Sequence, residues 1–379
     1  MKHLCWLILI LLLDGCLSSP SDDLEIALRN KPFFETQMLF EAERFPNIVV
    51  AKDGTVIALW GKEKVVSKRS TDAGATWEDE VLIDEGIHGG GLVVDDASGD
   101  LIAFVEKGVH PPAPLASFRS VDQGRSWKPN PIQISPDHMG NLPSMHMNEH
   151  GICLKNEKYS GRLVRATRFY SEGNDRKYWP NHYTNAIYSD DGGHSWQTSN
   201  PFPANGTGEA AIVELENGTL YYNTRRHLAT DSLNPRRRHI ATSTDGGKNW
   251  KNLYVNPVLP DGEKDRDYGL MAGLDRLPFA GKDLLIFSNI DSDSGRKNGN
   301  IWLSFDGGKS WPVQKTIDRA GFKYSSMAVG RKNTPSQDFI YLLYETGTKE
   351  NINAYGGGKL ARFNLSWLLQ DIDVNQYLN

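Results

Sequence analysis

Cysteine is scarce, with three in 379 residues. Cys5 and Cys16 fall in an apolar leading segment, which leaves Cys153 alone in the rest of the chain. A lone cysteine makes no intramolecular disulfide, so the fold must rest on a packed core. Cys153, in "HGICL", reads as a small buried apolar residue. No Cys/His spacing of the kind that holds zinc is present, and neither a metal nor another cofactor is expected. An excess of one charge is lacking too. Lys and Arg total 42 against 47 Asp and Glu, a net −5 with the signs mixed along the chain. That excludes the basic footprint of a nucleic-acid binder. Long hydrophobic runs are also missing: "LCWLILILLL", 4–13, is far short of the roughly 20 residues that span a bilayer. Helical periodicity is absent over any long stretch, except near "LSWLLQDI".

The short apolar run has its own meaning. Lys2 precedes it and the small residues "CLSS" follow, the pattern of an export signal over residues 1–19. Residues 20–379 are then expected to form one domain. "LDGC" (13–16) resembles the box of bacterial lipoproteins, with Asp14 departing from the small residue preferred there. The expected destinations are the periplasm, the cell surface or the medium, with membrane contact only through a lipid anchor.

What the chain has in abundance is one repeated phrase. "STDAGATW", "SVDQGRSW", "SDDGGHSW", "STDGGKNW" and "SFDGGKSW" share Ser-x-Asp-x-Gly-x-x-Trp, with aspartates Asp72, Asp122, Asp191, Asp245 and Asp306. Their separations are 50, 69, 54 and 61 residues. Six runs rich in β-branched and aromatic residues accompany them: "GTVIALW", "LIAFVEK", "GRLVRATRFY", "GTLYYNTR", "DLLIFSN" and "FIYLLYE". Repeats of this period built from short strands predict an all-β fold, a six-bladed β-propeller with Asp-box hairpins. Within each box Gly supplies a positive φ, Asp binds backbone N–H groups, and Trp pins the turn. The boxes are therefore structural and predicted to lie at hairpin turns on the outer rim, with one blade lacking a box.

These boxes resemble the Asp boxes of the sialidase family, and blocks between them carry the resemblance further. "ERFPNIVV" contains Arg44, "GEAAIVELENGTLYYNTR" contains Glu209 and Arg225, and "FSNIDSDSGRKNGNIWL" contains Arg296. The resemblance implies three arginines that clamp the carboxylate of terminal sialic acid. Planar guanidinium groups suit that anion through paired, charge-assisted hydrogen bonds. Arg226 is set aside, because strand alternation sends it to the other face. "AGFKYSSMAV" nominates Tyr324 as nucleophile with Glu209 as its base, and "YLLYETG" nominates Glu345 as the brace of Arg44. A neutral phenol avoids the repulsion a carboxylate nucleophile would meet at a centre already bearing a carboxylate; a tyrosine nucleophile is the known sialidase exception among glycosidases.

One family element is missing. The resemblance implies an Asp before the first box as acid and base, yet "LWGKEKVVSKRS", 59–70, holds none. Candidate replacements are His88, Glu149 and His150, with Lys62 and Glu63 behind them. The expected activity is retaining hydrolysis of terminal sialic acid from sialylated glycans. The alternatives are a catalytically silent sialic-acid-binding propeller and an Asp-box propeller that binds proteins.

Overall fold

The computed structural model describes residues 20–108, 112–146, 148–228, 236–266, 268–348 and 350–378. The predicted export segment and its two cysteines lie outside these residues. Hydrogen bonding groups the described strands into five sheets, nearly all antiparallel. The first holds Asn47–Val50, Val56–Trp60, Lys64–Ser70 and Val81–Glu85. Its innermost strand is wholly buried and its outermost half exposed, so the sheet runs radially outward from an axis. The second holds Ile87–His88, Val93–Val94, Leu101–Glu106, Leu115–Ser120 and Lys128–Pro129. The third holds Ile152–Cys153, Leu163–Phe169, Tyr183–Ser189 and Ser195–Thr198, with Gln133–Ser135 added in parallel at its edge. The fourth holds Thr207–Glu214, Leu220–Arg226, Arg237–Ser243 and Lys251–Pro260.

The fifth sheet has seven strands, because Val313–Val329 serves two neighbours. Its first part pairs with Lys297–Ser304 and its second part with Phe339–Thr346. The early strand Phe34–Phe40 then completes this sheet by pairing with Gly357–Asn364, which ties the two ends of the chain together. The architecture is all-β and propeller-like. Among the described residues five hydrogen-bonded sheets are seen rather than the six blades expected, and Val313–Val329 runs unbroken through the largest.

The boxes hold the ring. In the first, Asp72 Oδ1 accepts from Ser70 Oγ at 2.7 Å and from the Thr76 amide at 2.9 Å, while Ser70 Oγ accepts from the Gly74 amide at 2.8 Å. The pattern recurs at Asp122, Asp191, Asp245 and Asp306. Gly74, Gly124, Gly193, Gly247 and Gly308 all have φ between 84° and 86°, which is why glycine stands there. The residue before each is left-handed as well. Three boxes use a second glycine, but Ala73 and Gln123 adopt φ of 59° and 55° with a side chain in place.

Each box also grips the preceding sheet. Arg69 Nε donates to the Gln123 carbonyl (2.9 Å), Arg119 to Gly192 (2.6 Å), and Arg162 to Gly246 (3.1 Å). Tyr254 donates to Gly308 at 3.4 Å, and Arg362 of the last sheet donates to Ala73 in the first box at 2.7 Å. The contacts therefore run in a circle. The box tryptophans Trp196, Trp250 and Trp311 are buried beneath their turns.

Short helical pieces flank the ring. Leu365–Leu368 falls where "LSWLLQDI" had suggested helix, capped by the Asn364 side chain on the Trp367 amide. The helix Pro20–Arg29 was not foreseen, and packs Leu24 and Ala27 against Leu365 and Leu368. Cys153 is only half-buried, at odds with the core position expected for it.

Candidate active site

Arg44 and Phe45 lead into the innermost strand of the first sheet. Phe45 has φ 69°, a costly conformation for a bulky aromatic. Two buried side chains hold it there. Its amide donates to Glu345 Oε1 (3.0 Å), and its carbonyl faces His88 Nδ1 (3.0 Å), which therefore carries the hydrogen. The same Glu345 takes the Arg44 guanidinium in a forked pair, at 3.1 and 3.3 Å. Arg44 also stacks over the Tyr355 ring, 3.8 Å from its centroid.

The other site pairs sit on two bulges. In the fourth sheet Thr207 faces Arg226 and Ala210 faces Thr224, so Gly208 and Glu209 together oppose Arg225. In the last sheet Phe322 faces Thr346 and Ser325 faces Tyr344, so Lys323 and Tyr324 together oppose Glu345. A bulge adds a residue to one strand and re-aims the side chains beside it. Both bulges here lie at the residues that converge.

The convergence centres on Tyr324. Its hydroxyl donates to Glu209 Oε1 at 3.0 Å and accepts from Arg225 Nη1 at 3.1 Å. Arg225 pairs with Glu209 Oε2 at 2.5 Å. The guanidinium groups of Arg44 and Arg296 lie 5.4 and 5.6 Å from the Tyr324 ring centroid. Arg296 faces Glu263 at 3.7 Å, and its carbonyl accepts from the Phe322 amide, which anchors its loop to the Tyr324 strand. Three arginines from separate parts of the chain thus surround one phenol. Arg226 turns away and meets His239 at 3.2 Å.

Electrostatics divides the pair into donor and acceptor. Burial and the Glu209 charge push the Tyr324 hydroxyl above its ordinary pKa, against the pull of the arginines. Burial would raise Glu209 as well, but Arg225 and Arg168 outweigh it and hold this carboxyl below the usual range. A protonated phenol therefore faces a charged carboxylate. Burial opposes the charge on Arg225 and Arg44, and their carboxylate partners more than restore it.

The structure also places side chains that the motifs did not nominate. Arg168 lies behind Glu209, contacting Tyr170 Oη at 3.1 Å, His182 Nδ1 at 2.8 Å and His227 Nδ1. His227 in turn stacks under Trp179, with ring centroids 3.7 Å apart. His146 sits beside Phe45, and Glu106 lies behind it. Arg168 stands in the quoted run "GRLVRATRFY" and His146 in "SMHMNEH", but neither belongs to a repeated pattern.

The candidates for the missing acid scatter. His88 is 1% exposed and braces the Arg44 turn. Glu149 lies midway along the inner strands, where it accepts from Ser326 Oγ (2.8 Å) and the Met327 amide (2.7 Å). His150 lines a cavity of about 550 Å³ with Cys153, Asp275 and Arg331. That cavity is lined by Val50, Glu214 and Val329, which end the strands that follow Arg44 or carry Glu209 and Tyr324. It is therefore not the site of the arginines. Lys62 and Glu63 occupy the tight hairpin after Trp60 and are exposed.

A family model described as "BNR repeat-like domain" matches residues 61–334, well over half of the chain. The chain belongs to the BNR repeat-like family. Within that family it is similar to bacterial sialidases. It is 27% identical to a sialidase of Micromonospora viridifaciens over 87% of this chain and 52% of that protein. It is 28% identical to a sialidase of Bacteroides fragilis over 80% of this chain and 60% of that protein. Among solved structures, a Hadza microbial sialidase superimposes with a TM-score of 0.65 at 25% identity, over 86% of this chain and 66% of that one. These similarities bear out the resemblance to the sialidase family carried by the boxes together with the blocks between them. This BNR repeat-like chain spans between half and two thirds of the length of the curated relatives named here.

Proposed function

We propose that this protein is an exo-acting sialidase that cleaves terminal sialic acid from glycans with retention of configuration. The observation that carries the reading is the Tyr324 hydroxyl, 3.0 Å from Glu209, inside a ring of three guanidinium groups. Arg44, Arg225 and Arg296 bind the substrate carboxylate, and Glu345 keeps Arg44 in place. Tyr324 attacks the anomeric carbon as its proton passes to Glu209, and the bond to the leaving oxygen breaks. The departing oxygen takes up a proton as it leaves, water then displaces the phenolate and gives one up in return, and the phenolate takes its own proton back from Glu209.

We further read the seven-stranded sheet as two blades that share Val313–Val329, which makes the ring six-bladed. The two-sided pairing of that strand supports this count.

The absence of an Asp between Leu59 and Ser70 favours a second reading, a propeller that binds sialic acid without cleaving it. Purified protein incubated with a fluorogenic α-sialoside separates the two. Release of fluorophore together with free sialic acid supports the hydrolase. Calorimetric binding of sialic acid with no release supports the binding module.

A further inference from the structure

We propose that His146, backed by Glu106, hands a proton to the departing oxygen of the substrate and later takes one from water. The proposal rests on the sialidase reading and fills a role that reading leaves without a residue.

Breaking the bond to a sugar oxygen leaves an alkoxide unless a proton arrives with the departing group. The carboxylates nearest the arginines are committed elsewhere. Glu209 serves Tyr324 and Arg225, Glu345 holds Arg44, and Glu263 faces Arg296. The neighbouring histidines are either held through both nitrogens or sealed from the open side. His88 turns Nδ1 to the Phe45 carbonyl under full burial, and His182 spends one nitrogen on Arg168 and the other on the Gly173 carbonyl. His227 meets Arg168 through Nδ1 and is covered by Trp179.

His146 is placed differently. Its ring centroid lies 5.9 Å from Phe45, whose own ring lies 6.2 Å from that of Tyr324. The side chain keeps 12% exposure. Nδ1 is buried, makes no hydrogen bond, and faces Glu106 Oε2 across 3.9 Å. Glu106 Oε2 is equally buried and unpartnered, while Oε1 is fixed by Ser144 Oγ at 2.5 Å and the Met145 amide at 2.9 Å. Nε2 is not among the buried atoms that lack a partner, so it is the nitrogen left to the open side. An imidazole steered from behind by a carboxyl, with its other nitrogen free, is built for proton exchange.

The proton inventory agrees. Burial raises the Glu106 carboxyl above its ordinary pKa, and burial holds the His146 ring down to about 3. We assign the acid proton to Glu106 Oε2, which faces the unpartnered Nδ1, and the hydrogen of the neutral ring to Nε2. When the glycosidic bond breaks, the Nε2 hydrogen moves to the leaving oxygen and the Glu106 proton moves onto Nδ1. When water attacks the tyrosyl intermediate, it gives a proton to Nε2, and the Nδ1 proton returns to Glu106. Both groups end as they began.

A poor leaving group needs this help and an aryl group hardly does, so leaving-group selectivity is the readout. kcat/KM is measured for sialyl-lactose and for a methylumbelliferyl sialoside with the unmutated protein, His146→Ala and Glu106→Gln. His146→Ala should lose about 10²–10⁴-fold on sialyl-lactose and less than about tenfold on the aryl sialoside. Glu106→Gln, a positioning change that retains the shape of the side chain, should shift the same ratio in the same direction. It carries the test alone if His146→Ala does not fold. Equal losses on the two substrates, or none, overturn the assignment while leaving the hydrolase intact. If the unmutated protein cleaves neither substrate, the hydrolase reading falls and this role falls with it.

Discussion

Tyr324 and Glu209 stand 115 positions apart in the chain, on two different sheets, and share a 3.0 Å hydrogen bond. Each is on a strand that bulges at that place, and each is flanked by an arginine-bearing turn or strand end. If this pair does covalent chemistry, a 3-fluoro sialyl fluoride will trap the protein on Tyr324, seen as a sialyl adduct on that peptide by mass spectrometry. Tyr324→Phe should lose at least about 10³-fold in kcat, and Glu209→Gln about 10²–10⁴-fold. An adduct on another residue of an active protein refutes the assignment.

The anion clamp is tested by Arg225→Ala. It removes a guanidinium that pairs with Glu209 in a fully buried setting, at 2.5 Å. The stranded carboxylate should cost the fold about 3–5 kcal/mol. Sialic acid binding should vanish in calorimetry. Retained binding at the original affinity would show that the carboxylate is held elsewhere.

The boxes make a stabilising prediction. Gln123 and Ala73 are left-handed at φ 55° and 59°, where the other three boxes use Gly192, Gly246 and Gly307. The left-handed region costs an L-residue about 1–2 kcal/mol, part of which the greater freedom of glycine in the unfolded chain takes back. Gln123→Gly and Ala73→Gly should therefore each gain about 0.5–1 kcal/mol in denaturant melts. A loss of stability in both would remove backbone strain as the reason for the Gly-Gly pairs.

Acid should unfold the protein in two overlapping stages. His88 is held down to about 4 and His146 to about 3, chiefly by burial, from an ordinary 6.5. Below pH 6.5 the unfolded chain binds protons at these positions that the folded chain refuses, so stability falls as pH drops toward 4. The box carboxyls follow. Their slight burial opposes the shift, but hydrogen bonds from the turn lower Asp72 and Asp191 to about 2 from 3.8, and their contribution is lost between pH 4 and 2. Urea melts at pH 7, 5.5 and 4 should show a steady decline. A flat profile over that range would contradict the buried neutral histidines.

The box turns were legible because their chemistry is local. A serine, an aspartate and a glycine within five residues make their own hydrogen bonds wherever they stand. The arginines, Tyr324, Glu209 and Glu345 could be nominated by their short flanking phrases, and strand alternation correctly turned Arg226 away. Sequence alone also placed the short terminal helix near Leu365. What tertiary structure decided is everything that depends on pairing between distant strands. The two bulges that aim Glu209 and Tyr324 are differences of register between partners, and a single strand carries no record of its register. That Val313–Val329 pairs with one partner along its first part and another along its second is likewise a property of its neighbours. His146, Glu106 and Arg168 belong to different loops and strands, and only closure of the ring brings them behind the arginines. Conversely, nearness to strands nominates all of His88, Glu149 and His150, with His88 slightly ahead. The ring sent one under the Arg44 turn, one into the axis and one to the opposite mouth, because depth along the axis is set by the sheets and not by position in the chain.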